Sequence, residues 1–463
     1  MRALRRLSTA IAIAIALGLG GFSTVAWAAD AKPISYQQAY RIGLKAYLYG
    51  LPLITMNQTF EAMTHVPVPH GAFGPVNQFN NVLSPNGSGD TAVVAPGSTS
   101  LSSIAWLDLR SGPLVLNVPT VTDHYFVLAF VDPYTNNTVN LGTASNTPPG
   151  QYVICESTQC NARLPKDMHP LKVPYSRMWV IGSTQLKGAA DIPAVNAIQA
   201  QYTLTPLHPT RTDSEPVTGT TTGAEWFDQL GTLMAQFPPP ARDTRALARF
   251  AKVGIGPGLA PSTNARLAPR VLHALNDAVA AGPIYLAHQK AQLFARSAKV
   301  HQGYLLGGFG TYGTRYAERA VISQIGLGAF VSKQAIYAMT WQAKSGAPLD
   351  GSKAYALHLT EAPPTHEGWS LSAYNTSGNI MPTNPARNAF TNISDLHRNP
   401  DGSIDIYLQP TAPSLPEQAQ NWIPVLAGQD FELTWRLFAP NRSAIPGILN
   451  GTGWLPPAVT LRR

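Results

Sequence analysis

The apolar positions of this chain recur with two different periods, and the change between them divides it into segments. Ser35 and Gln38 form a capping box, after which apolar residues at helical spacing predict an amphipathic helix that Pro52 interrupts. Residues 76–181 instead contain short apolar runs between Gly- and Pro-containing turns. This pattern is typical of an antiparallel sandwich or barrel.

Helical periodicity returns over residues 230–341. Residues 267–279 form one apolar stripe, and residues 319–325 and 333–341 suggest two further helices. From residue 354 onward the short strand-like runs resume. We therefore predict a mostly β protein with a helical layer (α+β), in which a central helical segment joins two antiparallel β-sandwich or jelly-roll-like domains.

The first 28 residues have the three parts of an export signal. A basic start precedes an almost wholly apolar stretch over residues 11–19 and a small-x-small cleavage site that ends at Ala28. This predicts a periplasmic or secreted protein, cleaved near Ala28 and without a transmembrane segment. The predicted divisions are a signal peptide (1–28), an N-terminal domain with an opening helix and a β-sandwich (29–202), a connection and helical layer (203–345), and a C-terminal β-sandwich domain (346–463).

Charge is scarce in this sequence. Asp, Glu, Lys and Arg make up 13% of the residues, against about 25% in a typical soluble protein. The formal net charge is +8, and the excess is spread along the chain without a Lys/Arg cluster interleaved with aromatic residues. The sequence therefore argues against nucleic-acid binding.

Cys155 and Cys160 are the two cysteines of the chain. In an oxidising compartment this pair favours a structural disulfide. The alternatives are a redox pair, although such motifs favour C-x-x-C, or half of a metal site, although zinc needs four ligands.

Motifs for cofactors and metals are weak. Residues 308–313 fit G-x-G-x-x-G, but no clean strand precedes them and no acidic residue follows about 20 positions later, so a close-packed turn is favoured over a dinucleotide site. The sequence has no G-x-S-x-G and no H-E-x-x-H motif. We expect no cofactor and no metal.

Ordered motifs in both β-regions carry a resemblance to a known family. The N-terminal region contains Ala105-Trp106-Leu107-Asp108-Leu109 and residues 132–137. The C-terminal motifs are Leu349-Asp350-Gly351, Trp369-Ser370-Leu371, Asn384, Arg387, Asn421-Trp422, Arg436 and Pro456-Pro457. On these residues the chain resembles the tandem of domain-of-unknown-function 1254 followed by domain-of-unknown-function 1214. The resemblance implies no established reaction.

The resemblance breaks at a polar signature. Where the family has Pro-Asn-x-Asp-Thr-Leu-Tyr-Ser, residues 96–103 are Pro-Gly-Ser-Thr-Ser-Leu-Ser-Ser. Three arginines of the family pattern correspond to His124, Ala144 and Ser183. Short neutral side chains neither transfer protons nor clamp an anion, which implies a divergent member whose N-terminal site is lost or changed.

Aromatic and polar residues of the C-terminal domain suggest a binding site for a sugar-like or planar polar ligand. The candidate ligand-binding residues are Trp369, Asn384, Arg387, Asn421, Trp422 and Arg436. The alternative is that the aromatic residues fill the sandwich core. The arginines, likewise, either bind an anionic ligand or pair with acidic residues, for which the candidates are Asp350, Asp401, Asp405 and Glu432.

Two functions are compatible with these patterns. One is binding of a small polar or carbohydrate-like ligand at the junction of the two β-domains, where pockets preferentially form. The other is a cofactor-independent hydrolase or lyase that acts on an envelope or environmental carbohydrate or ester. Its candidate catalytic residues are Asp108, Asp132, Tyr374 and Arg387.

Overall fold

The computed structural model describes residues 33–90, 95–157, 160, 165–208 and 221–462, so the predicted signal peptide lies outside the described residues. Helix α1 (Tyr36–Thr64) begins with the predicted capping box, in which Ser35 Oγ accepts from Gln38 N at 3.2 Å. The prediction that Pro52 interrupts this helix is wrong, because α1 continues twelve residues further. Burial of nearly every residue around Pro52 offsets the lost backbone hydrogen bond.

The N-terminal domain is a sandwich of two sheets. Its elements are β1 (Asn80–Asn81), β2 (Ser100–Asp108), β3 (Leu114–Val118), β4 (Phe126–Val131), β5 (Asn137–Gly142), β6 (Gly150–Glu156), β7 (His169–Val173), β8 (Arg177–Gln185), α2 (Ile192–Gln199) and β9 (Thr203–Pro206). The sheet orders are β1-β2-β8-β4-β5 and β7-β6-β3-β9. Alternate residues such as Leu107, Phe130 and Ile154 fill the core between them. The one parallel pair among these strands is β6 with β7.

The disulfide prediction is confirmed, because Cys155 at the end of β6 is bonded to Cys160. Cys155 is buried. The bond therefore closes the turn that leaves β6, in the sheet that faces away from the C-terminal domain.

A helical layer follows. Its elements are α3 (Glu225–Gln236), α4 (Thr244–Phe250), α5 (Pro269–Val300), the short strand β10 (Leu305–Leu306) and α6 (Tyr316–Ile325). Helix α1 packs against α3, α5 and α6 around a shared apolar core that includes Tyr47, Leu230 and Leu275. The N-terminal helix therefore belongs to this layer, and its C-terminal half also packs on the following sandwich, where Phe60 contacts Trp106.

The helix predicted over residues 333–341 is wrong. Residues Ala335–Thr340 form strand β11, which pairs with β10 on one side and with β17 (Phe431–Phe438) on the other. A short apolar run does not distinguish a buried strand from a helix by periodicity alone. Here the pairing along both edges, which periodicity does not report, decides the structure.

The C-terminal domain is a second sandwich. Its remaining elements are β12 (Tyr355–Leu359), β13 (Trp369–Asn375), β14 (Ala389–Thr391), β15 (Ile404–Gln409), α7 (Pro416–Gln420), β16 (Trp422–Pro424), α8 (Ile445–Asn450) and β18 (Thr460–Leu461). The sheets are ordered β10-β11-β17-β13-β14 and β16-β15-β12-β18. The predicted fold class of two β-domains with a helical segment between them is confirmed.

The two sandwiches meet through the outer face of one sheet from each. Val127 and Ala129 of β4 pack against Ala335 and Phe438 in a small apolar cluster. Beside this cluster the two outer faces diverge and leave a space between them. In the part of the chain that the structure describes, no helix has the length and apolar character needed to cross a bilayer.

Candidate functional site

A cavity of about 260 Å³ lies where the two outer faces diverge. Strands β2 and β8 form its N-terminal wall, β11 and β17 form its C-terminal wall, and residues 326–330 close a third side. The first two walls are parts of buried strands, and the third is a partly buried turn after α6. The packing of two sheets therefore sets the width of the space.

The N-terminal wall follows directly from the register of β2 and β8. Ser102 stands opposite Ser183 and Ile104 opposite Ile181, and all four line the cavity. Ser183 Oγ donates to Ser100 Oγ at 2.9 Å. Trp179 lies at the end of the wall, and its ring stacks on that of Trp106 with centroids 5.0 Å apart. This wall is neutral, with small side chains near the opening and apolar ones deeper in.

The C-terminal wall contains a buried cation. Alternation along β17 places Leu433 and Trp435 in the sandwich core and Thr434 and Arg436 on the outer face. Arg436 is 8% exposed, and its guanidinium donates to Ala95 O at 2.6 Å and to Ser372 Oγ at 3.4 Å. None of the ion pairs between described residues involves Arg436.

Two hydroxyl groups beside Arg436 are buried. Ser370 stands opposite Arg436 in the β13–β17 register, and Thr434 precedes Arg436 by two residues on the same face. Neither Ser370 Oγ nor Thr434 Oγ1 has a hydrogen-bond partner among the described residues. Of the two residues, Thr434 lines the cavity and Ser370 does not. Because buried polar groups are normally satisfied, the Thr434 hydroxyl gives this wall unused hydrogen-bonding capacity.

The third wall is apolar and comes very close to the N-terminal sheet. Gly328 has φ +81°, and a Cβ atom there would lie 2.3 Å from Ile181 Cδ1, so the approach requires glycine. Leu327 and Phe330 on either side of it line the cavity. A ligand in the cavity would therefore contact the hydrocarbon of Ile181 on one side and of Leu327 and Phe330 on another.

Polar side chains also stand on the loops that border the cavity. His70 stacks on Phe73, with centroids 4.9 Å apart, and the Asp90 carboxylate accepts from Gly87 N at 2.7 Å. Asp90 is exposed. Arg436 is therefore the buried charge of the cavity, and Asp90 belongs to its solvent side.

Glu432 continues the outer face of β17 beyond Thr434 but does not line the cavity. Burial raises the pKa of its carboxyl to about 7, although Lys290, Trp341 and Arg436 favour the ionised form. At neutral pH this carboxyl is therefore only partly ionised.

The four predicted catalytic residues lie in separate surroundings. Asp108 accepts from Arg110 Nε at 2.9 Å, and Asp132 accepts from Asn136 N at 2.8 Å inside the turn after β4. Burial raises the pKa of Asp132 to about 6. The lining contributed by described residues includes none of the four.

The other two of these candidates belong to the C-terminal domain. Tyr374 Oη donates to Pro96 O at 2.8 Å, which fastens the segment before β2 to the C-terminal domain. Arg387 Nη1 donates to the carbonyl oxygens of Ala419, Gln420 and Trp422 at 3.2 to 3.4 Å. Both side chains thus have structural partners.

Of the six predicted ligand-binding residues, the structure places only Arg436 at the described cavity. Trp369 is 4% exposed and lies in the sandwich core, and Asn384 is exposed on the loop before β14. Asn421 donates to His397 O and Asp405 O at 2.8 Å each, and Trp422 Nε1 donates to Gln409 O at 2.8 Å. These four residues and Arg387 do not line the cavity with Arg436.

The sequence analysis missed Thr434, Ser102 and Ser183 as site residues. A signal for Thr434 exists, because Glu432, Thr434 and Arg436 alternate with core residues in an otherwise apolar strand. For the two serines, sequence gives only a departure from a pattern. Their position at the cavity depends on the packing of two sheets about 250 residues apart in sequence.

Comparison with known proteins places the chain in a family. Residues 76–206 match the family described as "Protein of unknown function (DUF1254)", and residues 334–442 match "Protein of unknown function (DUF1214)". The chain belongs to the tandem DUF1254/DUF1214 family. No curated protein matches it.

Two solved structures are similar to this protein. The VPA0106 protein from Vibrio parahaemolyticus is 17% identical with a TM-score of 0.66, and the match covers 92% of this chain and 100% of that one. A putative uncharacterized protein from Burkholderia cenocepacia is 11% identical with a TM-score of 0.44, over 92% and 96% of the chains. The first likeness supports the fold and does not identify an activity.

Four of the departures from the DUF1254 signature lie at the cavity, whereas Ala144 packs against the apolar cluster between the two sandwiches. Gly97, Thr99, Ser102 and Ser183 stand where the family pattern has Asn, Asp, Tyr and Arg, and all four line the cavity. His124 differs, because it is buried and pairs with Asp123 and Asp191 at 2.8 and 3.0 Å. The wall that diverges from the family is therefore the N-terminal wall of this cavity, which in this protein is smaller in side-chain volume and neutral.

Proposed function

We propose that this protein binds a small molecule between its two β-domains. The observation that carries the proposal is the cavity itself, which combines apolar walls with the buried Arg436 guanidinium and the unpartnered Thr434 hydroxyl. Ligand sites characteristically pair a mostly apolar lining with a few convergent polar groups.

The lining favours a ligand with an apolar body over a carbohydrate. Sugars present hydroxyl groups around their whole rim, and each would need a partner after burial. Ile104, Ile181, Leu327, Phe330 and Met339 offer none. The cavity, at about 260 Å³, is also slightly smaller than the usual range of ligand pockets, which favours a compact molecule.

Binding without catalysis is better supported than a hydrolase or lyase. Acid–base catalysis needs titratable groups placed within reach of one another around the substrate. Among the described lining residues, Arg436 is the buried charged side chain, while His70 and Asp90 are exposed on bordering loops. The candidate acids Asp108 and Asp132 have partners elsewhere.

We further propose that the protein acts outside the cytoplasm. The proposal rests on the sequence of the first 28 residues, and the Cys155–Cys160 disulfide is compatible with it. Fractionation of the native host, followed by N-terminal sequencing of the purified protein, tests it. Full-length protein recovered from the cytoplasm with Met1 retained would contradict it.

Occlusion of the cavity tests the binding proposal. Wild type and Ser183→Trp should be screened by thermal shift and calorimetry against small aromatic and aliphatic compounds, including indole, phenylacetamide and phenylacetate. We expect at least one compound to bind the wild type and Ser183→Trp to lose it, because the indole ring would fill the space between the walls. The control is Ser414→Trp, at an exposed serine outside the cavity.

Two results would contradict the proposal. One is a screen in which no compound binds the wild type. The other is a Ser183→Trp variant that is folded by circular dichroism and binds the same compound as tightly as the wild type, since the ligand would then occupy another place.

A further inference from the structure

We infer that the junction cavity selects an organic monocarboxylate, with its carboxylate on Arg436 and Thr434 and an aromatic or alkyl body against the apolar walls. This inference rests on the proposed function, because it names the ligand class of the same cavity. Four observations support it: the uncompensated charge of Arg436, the unpartnered hydroxyls beside it, the absence of a second cation in the described lining, and the hydrocarbon on the remaining walls.

The first observation is the charge. A guanidinium has five N–H donors, and the structure shows Arg436 bonded to two neutral oxygens, those of Ala95 and Ser372. Its Cζ also lies 5.6 Å from the centroid of the Tyr374 ring, so these contacts are all with neutral groups. A buried charge is stable only when it is paired or well hydrogen-bonded. Glu432, the acidic residue nearest along β17, forms no ion pair with it in the described part of the chain. An anionic ligand would supply the missing partner.

The second observation is the pair of hydroxyls. Thr434 and Ser370 are 1% and 0% exposed, and their side-chain oxygens find no partner within the described residues. Both flank Arg436, one along β17 and one across on β13. A carboxylate has two oxygens that each accept more than one hydrogen bond, so it can use the guanidinium and a hydroxyl together.

The lining of the cavity indicates how many charged groups the ligand carries. Arg436 is the single Lys or Arg side chain among the described residues of the cavity walls. A second carboxylate buried in the cavity would face Ile181, Leu327 or Phe330, which is unfavourable. His70 and Asp90 stand on the exposed loops that border the cavity, away from the buried walls. One carboxylate on an apolar body therefore matches the walls best.

The test compares an acid with its neutral amide, which has nearly the same shape. Phenylacetate and phenylacetamide should be titrated calorimetrically into wild type, Arg436→Gln and Thr434→Val. We expect phenylacetate to bind the wild type at least about tenfold more tightly than the amide, as a charge-assisted hydrogen bond predicts. Arg436→Gln should remove that preference. Thr434→Val, which keeps side-chain shape, should weaken phenylacetate about threefold or more and leave phenylacetamide unchanged.

The control is Arg398→Gln, which removes an exposed arginine of the same domain that donates to Gly402 O. It should keep the wild-type preference. If Arg436→Gln does not fold, the affinity of Thr434→Val for phenylacetate still tests the inference.

Three outcomes would overturn the inference. They are equal affinity for acid and amide, a preference for the acid that survives Arg436→Gln, and no binding of phenylacetate or hexanoate at millimolar concentration. In each case the proposed function is judged separately, by whether indole or phenylacetamide binds the wild type and is lost in Ser183→Trp.

Discussion

The two walls of the junction cavity come from sheets of similar construction, yet their polar groups differ in kind. On the N-terminal wall the polar side chains are short serines, and the Ser183 hydroxyl donates a hydrogen bond to Ser100. On the C-terminal wall the buried Arg436 lies beside Thr434, whose hydroxyl lacks a partner among the described residues. The N-terminal wall therefore gives shape, and the C-terminal wall holds the polarity that a ligand would satisfy.

This difference also separates stability from binding. Groups that are satisfied within the protein stabilise the fold, whereas unpartnered buried groups lower its stability until a ligand binds. The family signature lost from residues 97–102 lies on the first wall, while Arg436 of the second wall remains. Removing a hydrogen-bonded hydroxyl from the N-terminal wall should therefore lower the stability of the protein, whereas removing an unpartnered hydroxyl from the C-terminal wall should raise it.

The largest expected effect concerns pH and Glu432, on the same face as Arg436. Its carboxyl has a pKa of about 7 when folded and 4.5 as the reference value. As pH rises through this window the unfolded chain loses its proton first, so the contribution of Glu432 to stability is greatest below pH 4.5 and is lost by about pH 7. At about 1.4 kcal/mol per pKa unit, the loss is about 3 kcal/mol.

Urea unfolding of wild type and Glu432→Gln between pH 5 and 8 measures this. Asp132, with its pKa of about 6, changes stability in the same direction but finishes near pH 6. The variant should therefore flatten the curve above pH 6.5, where Glu432 alone of these two still titrates. Parallel curves for the two proteins would show that burial of Glu432 does not raise its pKa in this way.

A smaller effect is expected from the disulfide. Cys155 and Cys160 are five positions apart, and a loop this short contributes about 2 kcal/mol. The double variant Cys155→Ala, Cys160→Ala should lose about that much in urea unfolding. Because β6 belongs to the sheet away from the cavity, the affinity for any cavity ligand should not change. Weakened binding would show that the N-terminal wall depends on the second sheet for its shape.

The sequence predicted more of the fold than of the site. Turn residues and apolar alternation predicted the two sandwiches, because each strand buries one face locally. Pro52 and residues 335–340 were mispredicted where packing of distant elements outweighed local preference. Arg436 was a candidate because an arginine in a strand of a charge-poor chain needs a partner.

The rest of the site could not be predicted from sequence. Thr434 and Ser183 come together only because two outer faces touch near Val127 and Phe438 and then diverge. The predicted aromatic residues lie away from this cavity for a related reason. Trp369 and Trp422 sit in strands where either face could be the core, and their partners across the sheets decided it.

The smallest effect is the sharpest test of the two walls, because its sign differs between them. Thr434→Val and Ser370→Ala remove hydroxyls that have no partner in the described structure, and each should raise stability by up to about 1 kcal/mol. Ser183→Ala should lower it by about 0.5 to 1 kcal/mol, since Ser100 Oγ loses its donor. Urea unfolding of the three variants beside wild type gives the signs directly. Destabilisation by Thr434→Val would mean that its hydroxyl is already satisfied, and the contrast between the walls would then fail. Stabilisation accompanied by weaker phenylacetate binding would instead show that the C-terminal wall gives up stability to keep a carboxylate site.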